Sequence, residues 1–244
     1  MHVYQFTGRI HPERANVNLS AQKLGVGIPS LGWKGTVTVF VGASQIFVTF
    51  EGEPPVTNIP TLRNSAQNLA QDFANAFCYE FGYAYTAEIT GLVSDESEYQ
   101  VFGVDYGAIA ETEQQRALPL DKRLLALVLT SFPLGRAISD LRSAILEPRD
   151  TAFHCQRAIE SLRHHFTGER REQWERLREA LNVTEETLRS IEEAGRAQRH
   201  GEVAEMTAAD RDTAVLLAWR VIDRFVAYLD NDEKPLAGTE FPAL

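Results

Sequence analysis

The sequence has little cysteine, little lysine and no long apolar run. Its only cysteines, Cys78 and Cys155, lie far apart and in no CxxC spacing. That argues against a disulfide framework and a paired-cysteine zinc site, so a reduced cytoplasmic compartment is expected, with both thiols packed rather than reactive. No window approaches the roughly eighteen apolar residues of a membrane helix. The opening "MHVYQFTGRIHPER" has no basic start leading into an apolar stretch, so no secretory signal is expected. Glycine-rich phosphate loops, a GxSxG elbow and an HExxH helix are also missing. The glycines of "LGVGIPSLGWKG" fit none of these patterns and read as a flexible loop. "SDESEY", with Asp95, Glu96 and Glu98, reads as a solvated hairpin tip. His164 and His165 diverge by about 100° on a helix and would not share an ion; His154 beside Cys155 has the same difficulty. No metal and no cofactor are expected.

Lysine is replaced by arginine. Of the 24 basic residues only 4 are lysine, and the net charge of −10 argues against a broad nucleic-acid-binding surface. The charge is uneven, because residues 1–117 hold six basic and twelve acidic residues while the remainder is close to balance. From Arg149 to Arg199 there are ten arginines, ten acidic residues and no lysine. Forked guanidinium donors suit phosphate and carboxylate; ion pairs along helices use the same residues.

Two rhythms divide the 244 residues. In the first half, "TVTVFV" and "QIFVTF" are β-branched and aromatic runs separated by "GAS", a hairpin signal. "HVYQFTG", "ANVNLS", "YAYTAEITGLV" and "YQVFGVD" are further strand candidates. Between them Leu62, Ala66, Leu69, Phe73, Phe77 and Phe81 recur at helical spacing, with Pro60 at the helix start. From Leu118 the period is helical throughout, broken at Pro133, with Asp150 and Thr184 placed to cap helices and Val215, Ala218, Ile222, Phe225 and Leu229 on one stripe of the last. The expected fold class is α+β: a mainly antiparallel sheet with one helix over 1–112, a helical bundle over 118–231 and a loose tail over 232–244.

The stretch "SIEEAGRAQRHGE" places Arg196 and His200 four apart, on one helical face. A histidine exchanges protons near neutrality, and a guanidinium one turn away stabilises charge on phosphorus oxygens. RNA carries its own 2′-hydroxyl nucleophile, so such a pair needs no metal. The same residues also fit a helix end: cations in the last turn, glycine beyond it, and Glu192–Arg196 and Arg189–Glu193 at ion-pair spacing. Glu88 or Asp105, as a carboxylate ending a strand of the sheet domain, is a third candidate, for small-molecule chemistry.

The segment "FHCQRAIESLRHHF", then "LRSIEEAGRAQRHG" with its Arg…His-Gly, then a long amphipathic helix, resembles the HEPN superfamily, the higher eukaryotes and prokaryotes nucleotide-binding domains, over residues 118–230. It is most similar to divergent members attached to an N-terminal sheet domain in bacterial defence proteins. The resemblance implies an all-helical, dimer-forming bundle that cuts RNA without metal. His200 would transfer protons, Arg196 would stabilise phosphate, and Arg199, Arg163 and His164 would contact RNA. Implied partners are RNA, a second copy bound through the bundle and a protein from the same operon, with no membrane. Two departures stand against catalysis: only three residues separate Arg196 from His200, and Ala197 occupies the usual polar position. Two functions follow, a metal-independent endoribonuclease or toxin-like effector in prokaryotic defence, or a non-catalytic dimerisation and ligand- or partner-binding module.

Overall fold

The computed structural model describes residues 1–94, 99–103, 105–112, 116–199 and 206–244, with 197–199 described by backbone alone. It divides into two compact units, one founded on Met1–Tyr106 and the other on the chain from Gly107 onward.

The first unit is an antiparallel sheet with one helix. Its elements are β1 (His2–His11), β2 (Leu19–Ile28), β3 (Trp33–Gly42), β4 (Gln45–Glu53), α1 (Ile59–Phe81), β5 (Thr86–Ser94) and β6 (Tyr99–Val101). The spatial order is β2-β3-β4-β1-β5-β6. Alternation decides the faces. Phe6, Ile10, Val37, Val39, Ile46, Val48 and Phe50 are buried toward one core, while Gln5, Arg9, Lys34 and Phe40 point out. The expected hairpin is β3–β4, closed by Ala43 and Ser44 at φ 50° and 63°. Both left-handed residues suit a type I′ turn, and hydrogen bonds offset the strain of using non-glycine residues there. Ala43 N donates to Asn18 Oδ1, Ser44 N to the Val17 carbonyl, and Val17 N to Ser44 Oγ.

"LGVGIPSLGWKG" is not a loop. It is the end of β2, a single 3-10 turn at Pro29–Leu31 and the start of β3, with Leu24 opposite Val37 and Ile28 opposite Trp33. Trp33 is buried because glycines make room for it: a Cβ on Gly52 would lie 2.5 Å from its ring and one on Gly35 2.8 Å away. Asn58 caps α1 through Thr61 N, and Gly82 at φ 66° ends it. The buried stripe of α1 is Leu62, Ala66, Ala70 and Ala74, rotated from the expected one, so Phe81 is exposed. Small side chains let α1 lie close, and its Gln67 and Gln71 exchange hydrogen bonds with the β5 backbone at Tyr85, Ala87 and Ile89.

The second unit comprises α2 (Gly107–Ala110), α3 (Lys122–Thr130), α4 (Phe132–Leu146), α5 (Thr151–Arg163), α6 (Arg170–Leu181), α7 (Glu185–Arg199) and α8 (Ala208–Asp230). As expected the chain breaks near Pro133: α3 and α4 meet at 102° about Ser131. On α5 the expected face, Ala152, Cys155, Ile159, Leu162 and Phe166, is buried. Asp150 sits at its N-cap without a side-chain cap hydrogen bond. The neighbouring Thr151 is buried instead and donates to the Ala144 and Pro148 carbonyls.

Two buried arginines of α8 close other helices. Arg211 donates to Thr151 Oγ1 at 2.8 Å and to the Ala144 and Ile145 carbonyls that end α4. Arg224 donates to the Leu181 and Asn182 carbonyls ending α6 and to the Pro242 carbonyl. Terminal carbonyls lack intrahelical donors, and a guanidinium supplies several at once. Residues 232–244 are therefore no loose tail. Leu236 is buried and donates to the Ala180 carbonyl, and Thr184 N donates to the Leu244 carbonyl.

Candidate functional site

Helix α7 carries the arginine–histidine stretch. Thr184 caps it by accepting from Thr187 N, and Glu185 and Glu186 occupy its first turn, where the helix dipole favours negative charge. Ile191 and Gly195 are its buried residues among those described. A Cβ on Gly195 would stand 2.8 Å from the Ala152 carbonyl oxygen, so α7 lies backbone-close against the start of α5. The helix runs through Arg199, and Arg196 is exposed on it. The expected Glu192–Arg196 and Arg189–Glu193 ion pairs are not among those formed. Arg189 reaches back to Glu185 Oε1 at 2.8 Å, while Glu185 Oε2 takes Arg178 at 2.7 Å. Arg196 has no ion pair among the described residues.

His200 and the Arg199 side chain lie outside the described residues. Arg163 is not a solvent-facing cation. It is buried, donates to Gln173 Oε1 at 2.9 Å and stacks 5.4 Å over the Trp174 ring. Burial, and then the nearby charge of Arg170, hold its pKa below the usual guanidinium value. Its long apolar stem makes it a packing residue, a role that charge alone conceals. His164 is exposed at the end of α5, 3.1 Å from Arg163 Nη2. Gly195 contacts the start of α5, whereas Arg163 and His164 lie at its far end. At 1.5 Å per residue the two places are about 16 Å apart. Arg196 is therefore not in one constellation with Arg163 and His164.

A groove of about 650 Å³ lies between α5, α6 and α7. Trp174, Ile159, Leu188 and Ile191 give it an apolar lining, and Gln156, Glu160, Arg170 and Glu192 are its polar contributors outside the ion pairs. Glu185, Arg189 and Glu192 reach it from α7. Successive steps of three or four residues put Arg196 on that same row, one turn beyond Glu192. Sequence reading missed the groove; Trp174 among Arg170, Arg171 and Arg178 in "RREQWERLREAL" was its one visible trace.

Other titratable groups are tied into structure. His154 meets Glu147 at 3.4 Å, and that hydrogen bond holds the Glu147 carboxyl below its ordinary value. His165 stands edge-on to Phe166, Phe225 and Tyr228 and lies 3.6 Å from Glu233. Glu88 pairs with His11 at 3.2 Å, and Asp105 is exposed. Burial pushes the Cys155 thiol up to about 12, against the opposing charge of Arg211. Asp95, Glu96 and Glu98 lie outside the described residues. Among the described residues no group of three or more His, Cys, Asp or Glu side chains is placed to hold a metal ion.

Two family models match in sequence order, the Domain of unknown function (DUF8168) N-terminal domain over residues 4–102 and its C-terminal domain over 122–230, together most of the chain. The chain belongs to the DUF8168 family. No curated protein and no solved structure matches it. The N-terminal DUF8168 match spans the six strands and α1; the C-terminal match spans α3 to α8, with the groove and Arg196 inside it. Neither description names an activity, so the HEPN resemblance rests on the residues themselves. No single helix is long and apolar enough to cross a membrane among the described residues.

Proposed function

We propose that the C-terminal DUF8168 domain is a HEPN-like module acting on RNA, with Arg196 as its phosphate-contacting residue and His200 as its proton-transfer residue. The carrying observation is the state of Arg196. Arg178 and Arg189 both pair with Glu185, while Arg196, on the same α7 row as Arg189, is exposed and without an ion pair among the described residues. An unpaired guanidinium is the one an incoming phosphate engages without first displacing a carboxylate. In the proposed reaction His200 takes the 2′-hydroxyl proton, the oxygen attacks phosphorus, and the leaving 5′-oxygen is protonated in turn. Pairing of two bundles would bring two such sets into one cleft, and the sheet unit would sense or gate.

The test is cleavage of single-stranded RNA by the full chain in excess chelator. Cleavage is expected, with loss on His200→Ala or Arg196→Ala and no change in the far-ultraviolet circular dichroism. Absence of cleavage, or cleavage that both variants retain, ends the catalytic reading.

A second reading, a non-catalytic ligand- or partner-binding module, is favoured by the groove. A groove with Trp174, Ile159, Leu188 and Ile191 as its apolar wall and charged side chains around them suits a ligand with an apolar body and polar ends, and nothing in metal-free RNA cleavage calls for one at Trp174. On that reading His200→Ala leaves function unchanged and Trp174→Ala removes it.

A further inference from the structure

The two edges of the six-stranded sheet are treated differently. At one edge β6 is only three residues long, and the β5 backbone it leaves open is covered by the Gln67 and Gln71 amides of α1. That is how soluble proteins blunt an edge. At the other edge β2 is ten residues long, pairs with β3 on one side, and has no strand on its outer side among the described residues. Its only charged residue is Lys23, and it contains no proline.

The glycines sharpen the contrast. Gly35 and Gly52 are required by Trp33, and Gly8 by the β5 backbone, since a Cβ there would lie 2.1 Å from the Glu88 carbonyl oxygen. A Cβ on Gly25 meets nothing within 4 Å, one on Gly27 makes only ordinary contacts at 3.9 Å, and neither residue has a left-handed φ. Glycine in a strand costs conformational entropy, and the unit itself gives no reason for these two. Close approach of another backbone is one established reason for a strand glycine, and the long outer edge of β2 is where one could come. Leu24, next to Gly25 and opposite Val37 on the core side of the sheet, is left 39% exposed at the rim.

We infer that β2 is a docking edge for β2 of a second copy, joined antiparallel about a two-fold axis at Leu24. The strand is complementary to itself in that register. Leu24 faces the partner's Leu24 and Gln22 faces the partner's Val26, inside the regular part of β2 that begins after its bulge at Ser20 and Ala21. Lys23, its single charge, faces the partner's Gly25, so no like charges oppose each other. Each apolar rim completes the other, and the free N–H and C=O groups of both edges are satisfied.

Sedimentation equilibrium of the full chain tests this, together with two variants. The wild type is expected to dimerise reversibly. Leu24→Lys places two ammonium groups opposite each other and is expected to weaken association by about tenfold or more, with circular dichroism unchanged. Leu24→Cys is expected to form a disulfide-linked dimer on mild oxidation, as directly opposed Cβ atoms are about 5 Å apart. Ser20→Cys does not, because its two copies would lie about 27 Å apart along the strands. A monomer at every concentration overturns the inference, including the case in which an unrelated extended peptide takes the edge. So does a dimer that Leu24→Lys leaves intact.

Discussion

Gly195 of α7 lies against Ala152 of α5 so closely that an added methyl would stand 2.8 Å from the Ala152 carbonyl oxygen and 2.9 Å from Gln156 Oε1. This contact fixes where the α7 row of Glu185, Arg189, Glu192 and Arg196 sits relative to the groove. Two effects compete in Gly195→Ala. Alanine favours a helix by about 1 kcal/mol over glycine, while overpacking against a backbone oxygen costs about 1–3 kcal/mol. The near atom is backbone and has little room to yield, so net destabilisation of about 1 kcal/mol is expected. Urea unfolding midpoints of the variant and wild type check the sign.

Arg211 is expected to matter far more. It is a buried cation on α8 whose donors go to Thr151 and to the two carbonyls ending α4. Arg211→Met keeps much of the stem and removes every donor, so the Ile145 carbonyl loses this partner and the Ala144 carbonyl keeps only Thr151. A loss of about 3 kcal/mol or more is expected. Calorimetry would show it as a lower melting temperature, and a variant as stable as wild type would refute the capping role.

Glu185 makes the opposite case. It holds two arginines, but its side chain is 62% exposed, and exposed pairs are screened and entropically costly. Glu185→Gln should therefore change stability by less than about 1 kcal/mol. Its effect should appear in the groove instead, where two guanidinium groups lose their carboxylate. Under the RNA-directed reading the variant should bind single-stranded RNA more tightly, measurable by fluorescence anisotropy at fixed salt.

The sheet's centre was legible because β-branched and aromatic runs alternate there, and the β3–β4 hairpin lies where "TVTVFV" and "QIFVTF" place it. Strand β2 was not legible: its Gly25 and Gly27 give the composition of a loop, and only pairing with β3 makes them strand. The α5 stripe followed the 3.6 period, whereas α8 is buried on every side from Val221 to Tyr228 and the expected Leu229 is only half-buried. The α1 stripe slipped because small alanines, not phenylalanines, take the closest contact. At the candidate site, periodicity put Arg196 on an exposed face but left no means of seeing that Arg163 turns inward onto Trp174, since a long cationic side chain reads alike whether solvated or packed. Nor did the sequence show that residues 232–244 return to Arg224, a contact between carbonyls and a guanidinium that no side-chain pattern announces.

The Glu147–His154 contact gives a pH dependence of definite sign. The His154 hydrogen bond, and then the charges of Arg142 and Arg157, hold the Glu147 carboxyl below its ordinary value of 4.5. A depressed folded value means that the carboxylate stabilises the fold above the unfolded value and that this contribution fades as pH falls through the folded one. Wild type should lose stability between about pH 5 and pH 3 more steeply than Glu147→Gln. Denaturant titrations at several pH values compare the slopes; identical slopes would show that the contact does not couple to folding.

Cys155 offers a probe of the α5 packing that carries the groove. It is fully buried, and its thiol is raised to about 12. At pH 8 only about one molecule in ten thousand carries the reactive thiolate, and that one is screened from reagent. Half-buried Cys78 is the one available for comparison. A thiol-reactive dye should label Cys78→Ser protein only as fast as it unfolds, and the labelling rate should rise with denaturant along the unfolding curve. Rapid labelling of Cys155 in the native protein would mean that α5 opens locally, which would in turn remove the fixed wall on which the groove, and the placement of α7 against it, depend.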